Sequence, residues 1–493
     1  MAEDILYKGG NDIGGFTDNI TDPNTGDLRR KYDFGSRVSE LNLSQDPFFR
    51  LVSKLAKKPT DDPEFKFTER RGSWHKRYAY VMSGGTAIGT AVTTANAKNS
   101  AGDTIKLKMG ADYKSAGNVQ NILGQKNDGK RPGQAGTQPE FFMVDQIVRV
   151  PVSAAANGSS EAYSDYLLVK ITAVDMTTDT TVASLTGTVV RGTASGQFFM
   201  GVPASLAGDV AAESQEKLAP YKAQVVGTVF DKGTGYPDSW KDQPFRTAYG
   251  MTQIWKTSMA MTNTDRATVL KYEANEWSRI WKEKLIEHKF DIEQSLLFGS
   301  QSSDYRTTQG AVDWIMQNGN LFSVDIDNST IRDRTSIDGF LDNMSALLDP
   351  RYNNSKSTVF FCSTQFYNYL HKLGGFFATN MNIDANVFRA DLAVAGRKKV
   401  LGLDMTTIST VYGDMNVTRN IHLDGTDIHM LGINLKNCAY RPLVGNGVNR
   451  DTSVYVGVQT LENSGVDRRV DQILTEAGME WSMPESHAVW KKA

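Results

Sequence analysis

The most regular apolar pattern in the chain runs from about Asp265 to Phe298, where Leu270, Ala274, Trp277, Trp281, Leu285, His288, Ile292 and Leu296 recur at steps of three or four. That spacing makes one continuous stripe and predicts a long amphipathic helix. Thr264 or Asp265 can cap its start, and Gly299 can end it. At 1.5 Å per residue such a rod is roughly 50 Å long, the span of a whole domain, which makes it an architectural strut. His288 lies on the stripe and reads as a packed or hydrogen-bonded core residue rather than a ligand.

Upstream, DPFFRLVSKLAKKP places Phe48, Leu51, Val52 and Leu55 on one helical face, and Pro59 forbids continuation. PEFKFT then alternates residue by residue, as a half-exposed strand does. From Ser83 to about Gly227 the chain turns to Gly, Ala, Ser, Thr and Val, with short strands at Thr104–Met109, Asp145–Val152 and Tyr166–Asp175. MTTDTT can turn the last of these back into VASLTGTVVRG as a hairpin. Regular short strands of this kind suit an inserted small barrel or sandwich.

Downstream of the strut the elements alternate as in an α+β body. Ser336 can cap a helix carrying Ile337, Phe340, Leu341, Met344, Leu347 and Leu348 on one face, and STVFFCS reads as a buried strand. Consecutive strands are predicted from Lys399 to Arg441, and further strands at Ser453–Leu461 and Val470–Met483. Residues 1–46 are rich in Gly, Asp and Asn and read as an extended arm laid on another surface.

The length of 493 residues suits about three compact units. With Gly counted in place of Tyr, apolar residues make up roughly 45% of the chain, which excludes wholesale disorder. Lys plus Arg (54) nearly cancel Asp plus Glu (56), so no global field draws the chain to nucleic acid or anionic lipid. Any such contact is a local patch. From Arg50 to Arg77 there are nine Lys or Arg against four Asp or Glu, interleaved with aromatics, and Arg70, Arg71, Lys76 and Arg77 form its densest part. They are a candidate contact with phosphates or with an acidic neighbouring subunit; a solvated strand face is the competing reading. The start of the chain has neither a basic segment nor an apolar run, and nowhere do 18 apolar residues follow one another, so no membrane span is expected.

Catalytic chemistry finds little support. GQKNDGKR, Gly124–Arg131, has the core spacing of a phosphate loop but carries Arg131 where Ser or Thr should hold magnesium. DIDNSTIRDRTS near Asp325 lacks the Gly and Glu of a calcium loop. None of the six histidines sits in a zinc-protease arrangement, there is no nucleophile elbow, and Cys362 and Cys438 lie in apolar stretches. No catalytic, cofactor-binding or metal-ligating residue is assigned, and the chain is not expected to be an enzyme.

Three segments carry a family resemblance. DPFFRLVSKLAKKPTDDPEFKFTERR (Asp46–Arg71), RATVLKYEANEWSRIWKEKLIEHKFDIEQSLLFG (Arg266–Gly299) and VYGDMNVTRNIHL with HMLGINLKNCAYRPL (Val411–Leu443) resemble the entry motif, spine helix and late strand passage of tailed-bacteriophage major capsid proteins. The fold implied is the α+β Hong Kong 97 (HK97-like) fold, in the branch whose extended loop carries a β-rich insertion. The implied division is an arm over 1–46, an entry helix and loop start over 47–82 and the β insertion over 83–227. The loop return and spine helix of the peripheral domain then occupy 228–299, an axial domain 300–443, and strands returning to the peripheral domain 444–493. The spine helix would pack through Leu270, Trp277, Trp281, Leu285, Ile292 and Leu296.

The resemblance further implies hexamers and pentamers closing into an icosahedral shell around double-stranded DNA, with no cofactor. Implied partners are other copies of the chain, a portal, a decoration protein, and packaged DNA through weak unspecific contacts. Because the chain shows no charged helical leader, a separate scaffolding protein is the expectation. The implied setting is the virion, assembled in the host cytoplasm. A tail tube or sheath subunit is the alternative, and it would form helical filaments rather than closed shells.

Overall fold

The computed structural model describes residues 46–70, 77–85, 100–111, 136, 138–153, 165–193, 198–199, 222–237, 245–269, 275–326, 337–348, 350, 353, 358–370, 392–410 and 413–492. Residues 1–45 of the expected arm and GQKNDGKR lie outside them, as does most of DIDNSTIRDRTS.

Helix α1, Pro47–Leu55, starts on a proline, whose fixed φ suits the first helical position. It buries Phe48, Phe49, Leu51 and Val52. Past Ala56 the chain runs extended, with Lys58 N–H donating to Tyr440 O (2.9 Å) and Thr60 N–H to Pro442 O (2.9 Å). It then enters strand β1, Glu64–Glu69.

Seven strands make the insertion: β2 (Tyr78–Gly85), β3 (Thr104–Ala111), β4 (Gln146–Ser153), β5 (Asp165–Asp175), β6 (Val182–Arg191), β7 (Phe198–Phe199) and β8 (Ala223–Thr228). Six run antiparallel in the order β5-β6-β3-β2-β8-β4, and β4 pairs back to β5, so the sheet closes into a barrel with β7 attached to β4. Closure removes the free edges of an open sheet. Inside, Ile105, Leu107 and Met109 alternate with outward Lys106 and Lys108, and meet Val148, Val150, Leu167, Val169 and Leu185 in a separate apolar core.

The chain leaves the barrel through β9, Arg246–Met251, which pairs antiparallel with β1 as a two-stranded ribbon. Strand β10, Gln253–Thr262, follows. The predicted single helix is here two. The five-residue α2, Asn263–Ala267, is capped by Thr262 accepting from Asp265 N–H and ends at extended Thr268. Helix α3, Glu276–Phe298, starts where Asn275 accepts from Ser278 N–H at 3.2 Å. Two caps and the β-branched pair Thr268–Val269 outweigh the apolar period. At 1.5 Å per residue α3 is about 35 Å long, shorter than the expected rod.

Beyond it lie α4 (Ala311–Asn318), β11 (Asn320–Val324), α5 (Ile337–Leu347), β12 (Thr358–Cys362) and a helical stretch over 364–370. Strands β13 (Leu392–Val400), β14 (Leu403–Thr410), β15 (Gly413–Arg419), β16 (Ile428–Asn434) and β17 (Cys438–Pro442) come next. The tail carries β18 (Val444–Gly445), β19 (Val448–Asn449), β20 (Ser453–Gln459), β21 (Arg468–Trp481) and β22 (Ala488–Lys492).

Two sheets build the body. One holds β10-β21-β17, with β20 also on β21; the other runs β11-β22-β16-β12-β15-β14-β13 and is mixed, β11–β22 and β12–β15 being parallel. Strand β12 shows why TVFFC is apolar throughout. Val359 and Phe361 face a core shared with α1, α3 and α4, while Phe360 and Cys362 face one shared with α5 and the 364–370 helix. In the tail, strand β21 joins β10 beside the spine helix, and β22 pairs with β11 and β16 in the seven-stranded sheet, where Val489 and Trp490 face its two opposite cores. Strand β17 pairs with β21 rather than with the sheet of β12–β16.

Candidate assembly joint

The outlying pieces meet the body where α1, α3 and the β10-β21-β17 sheet converge. α1 lacks a cap of its own, since the Asp46 side chain makes no capping bond. Glu293 of α3 supplies one: its carboxylate accepts from Phe48 N–H (3.1 Å) and Phe49 N–H (2.6 Å), and from Asn420 Nδ2 (2.9 Å). These amides are among those a helix start leaves unsatisfied, and an acidic group there also meets the favourable end of the helix dipole. Glu293 is 0% exposed. Burial pushes its carboxyl up to about 7; the bonds from Phe49, Phe48 and Asn420 oppose that shift, and nearby Asp46 adds to it.

The ribbon is tied by a second carboxylate, Glu69, which accepts from Met483 N–H at 3.0 Å. Strand β21 adds two buried acids bound to arginines. Glu480 accepts from Arg441 Nε (2.6 Å), and Glu476 pairs with Arg450, has Arg306 at 3.7 Å and accepts from Thr252 Oγ1 (3.3 Å). His288 is fully buried between two hydroxyls, Thr257 Oγ1 at 2.9 Å from Nδ1 and Thr475 Oγ1 at 2.8 Å from Nε2. Burial lowers its pKa, and the ring locks α3 to β10 and β21 as a core residue.

The residues singled out from the sequence fall as follows. Of the stripe, Ile292 and Leu296 are fully buried, Trp277, Trp281 and Leu285 are half-buried, and Leu270 lies outside the described residues. Trp277 instead has two guanidinium groups over its ring, Arg469 at 5.2 Å and Arg266 at 5.6 Å from its centre. Of the basic cluster, Arg70 is exposed at the end of β1 with its guanidinium 5.6 Å from the Phe245 ring centre, and Arg77 is half-buried before β2. Arg71 and Lys76 lie outside the described residues. Glu293, Glu69 and Glu476 carry no spacing signal; only the long-range fold brings them to their donors.

Among the described residues no group of three or more His, Cys, Asp or Glu is placed to hold a metal, and no helix is long and apolar enough to cross a membrane. Burial raises the Cys362 thiol well above its usual range, and burial with Glu480 raises Cys438 to about 12, so both are poor nucleophiles. Ser363, Asp424 and His429 share an open hollow of about 400 Å³. Each has a structural task there. Asp424 accepts from Thr364 N–H and Oγ1, both at 2.6 Å; Ser363 Oγ accepts from Phe366 N–H; and the His429 ring stacks on Phe366.

Compared with known families, residues 17–493 match the model described as the SU10 major capsid protein. The chain belongs to that family. It is therefore a structural capsid protein of a tailed phage and a component of the virion, not an enzyme. Its elements follow in the order entry helix, ribbon with insertion, spine helix and sheeted body, a mixed α+β arrangement. A search of the curated proteins finds no match.

Similar solved structures include one titled Gordonia phage Cozz (11% identity, 54% of this chain and 78% of that one, TM-score 0.35). The Cyanophage A-1(L) capsid asymmetric unit is another (13%, 54% and 84%, 0.34). A third is the capsid of an empty GTA particle (12%, 54% and 81%, 0.35). The family match, not these distant likenesses, carries the assignment.

Proposed function

We propose that copies of this chain assemble as hexamers and pentamers into a closed icosahedral shell around double-stranded DNA. The family match over residues 17–493 carries this reading. The architecture supports it, because a two-stranded ribbon leading to a barrel with a core of its own multiplies contact area between subunits without enlarging one core. Near-zero net charge suits a wall of like copies, which would otherwise repel within a Debye length. In this reading the arm over 1–46 and the ribbon reach neighbouring subunits, the spine helix braces a peripheral unit, and the residues from 300 to 443 gather about the local axis. Arg70, Arg71, Lys76 and Arg77 make weak, unspecific contacts with DNA or with an acidic neighbour. A portal, a separate scaffolding protein and a decoration protein complete the particle, which forms in the host cytoplasm.

Electron microscopy of the purified chain, paired with light-scattering mass over a concentration series, tests this. Rings of six or closed shells are expected. A discrete monomer or dimer at every concentration, persisting on coexpression with the phage's scaffolding protein, would overturn it.

A further inference from the structure

Strand β20, Ser453–Gln459, pairs with β21 on one side, and among the described residues no strand lies on its other side. A free edge invites pairing with another chain, and proteins commonly blunt it with charge or proline. Other edge strands here follow that rule. β13 carries Arg397, Lys398 and Lys399, and β1 carries Glu64, Lys66 and Glu69. β20 does not: from Thr452 to Leu461 the chain holds neither a charged residue nor a proline.

Its shape turns the apolar residues outward. Tyr455 pairs with Gln472 and Gln459 with Val470, so Val456, Gly457 and Val458 stand as a bulge opposite the single residue Asp471. Gly457, at a φ of 67°, donates its N–H to Asp471 Oδ1 at 2.7 Å and fixes the bend. At the crest Val456 is 65% exposed, and Val454, Tyr455, Val458, Leu461 and Val466 of the same hairpin are exposed with it. Apolar residues gathered in this way mark a contact surface, whereas single ones scattered over a surface do not.

The occupant that fits is a second copy of this chain. A strand without charge gives an acidic or basic partner nothing to pair with, whereas two copies can meet on it with no like charges opposed. Its ends set the direction. Lys57, held by Asp451, is exposed beside the start of the strand. Glu462 and Asp467 are exposed past its end, where Arg468 and Arg469 are turned to Gln459 and Asp471. Antiparallel copies bring Lys57 of each towards the acids of the other, and parallel copies would set like against like. We propose that β20 is a self-complementary contact, in which Val456 and Val458 of one subunit pack against the same residues of a second across a local two-fold axis. Its place in the particle rests on the capsid reading: contacts around a ring are heterologous, and an isologous one ties one ring to the next.

Oxidation of the full-length Val456→Cys variant with diamide tests the contact, since a residue beside a two-fold axis meets its own copy. The native Cys362 and Cys438 are buried. The expected product on a denaturing gel without reductant is a disulfide-linked dimer and nothing larger. Val190→Cys, of comparable exposure but on the barrel, should give none. Val456→Lys combined with Val458→Lys changes only exposed positions and should raise the concentration at which shells form by roughly tenfold or more, because four cations then share the contact. Microscopy reads shells in the same samples. Shells of Val456→Cys that yield no dimer, or a lysine variant that assembles like the unmodified chain, would overturn the contact and leave the capsid reading intact. Protection of the Val456→Cys thiol from maleimide on assembly, without a dimer, would show that another segment such as residues 1–45 covers the bulge, and would overturn it equally. Dimers without rings or shells at any concentration would count against the capsid reading alone.

Discussion

Phe65 lies against Gly478 so closely that a Cβ built on the glycine would stand 2.8 Å from Phe65 Cε1 and 2.5 Å from Met251 O. Gly250, opposite Phe65 in the ribbon, leaves the same kind of gap: a Cβ there would be 2.5 Å from Phe65 Cζ. Arg441 covers the ring from 5.5 Å. The Phe65 ring therefore fills a slot between Gly250 of the ribbon's own β9 and Gly478 of β21, and with the Glu69–Met483 bond it docks the ribbon on the β10-β21-β17 sheet.

Gly478→Ala should destabilise the body by about 1–3 kcal/mol, since backbone as well as ring would have to shift. Denaturant unfolding at pH 7 reads the change. In Phe65→Leu the smaller side chain leaves room, so the double variant should lose less than the sum of the two single losses. Additive losses would mean that the slot is not what couples the ribbon to the sheet.

His487 makes acid the weak side of the body. Its ring is fully buried, with Asn434 N–H donating to Nδ1 (3.3 Å) and Ser482 O 3.1 Å from Nε2. Burial lowers its pKa to about 4, from 6.5 when exposed. The unfolded chain binds the extra proton first, so stability should fall as the pH drops from 6.5 to 4, by roughly 3 kcal/mol for this group. Glu293 acts oppositely: its contribution is complete below 4.5 and is lost as the pH rises through 7. The two oppose each other in the wild-type curve. His487→Gln should therefore expose a stability that rises on acidification over that window, measured by denaturant unfolding at pH 4.5 and 7.

These residues mark the limit of what sequence patterning reveals. Ile292 and Leu296 are read from their spacing because burial on a helix face is periodic. The break before Asn275 is missed because a cap depends on one side chain and one amide, which leave no period. Short strands announce a β module, whereas its closure depends on Ile147 meeting Lys170 across the sheet. Glu293 and Phe48 stand 245 residues apart. Nothing local foretells that contact, and the carboxylate looks like any exposed acid on a helix until α1 covers it.

Arg450 and Glu476 offer a further check on the buried charges of β21. The Glu476 side chain is 4% exposed. Arg450→Met would leave it with Arg306 at 3.7 Å and the Thr252 hydroxyl. Breaking one side of such a pair should cost about 3 kcal/mol, and Arg450→Met with Glu476→Leu should recover most of it, because the uncompensated charge is then gone. A double-mutant cycle by thermal or denaturant unfolding checks this. Equal losses in the single and double variants would show that packing, not charge, dominates the site.

The barrel should fold apart from the rest. Its core of Ile105, Leu107, Met109, Val148, Val150, Leu167 and Val169 is separate from the two body cores, and the β4–β5 pair leaves it no open sheet side to be completed by the body. A fragment spanning residues 78–228 should therefore be monomeric and unfold in one cooperative transition, seen by circular dichroism and by dispersed amide signals. The known cost of small size works against it, because a domain of about 150 residues buries only some 70% of the surface that its unfolded chain exposes. Beyond Thr228 the excision cuts two contacts: Asp231 reaches Lys170 at 3.4 Å, and Val229 N–H donates to Asp145 O at 2.8 Å. Extending the fragment to residue 237 restores both and should raise the midpoint without changing the cooperativity. If neither fragment gives a cooperative transition, the barrel depends on the ribbon and body for its fold, and its separate core is not enough to make it an independent unit.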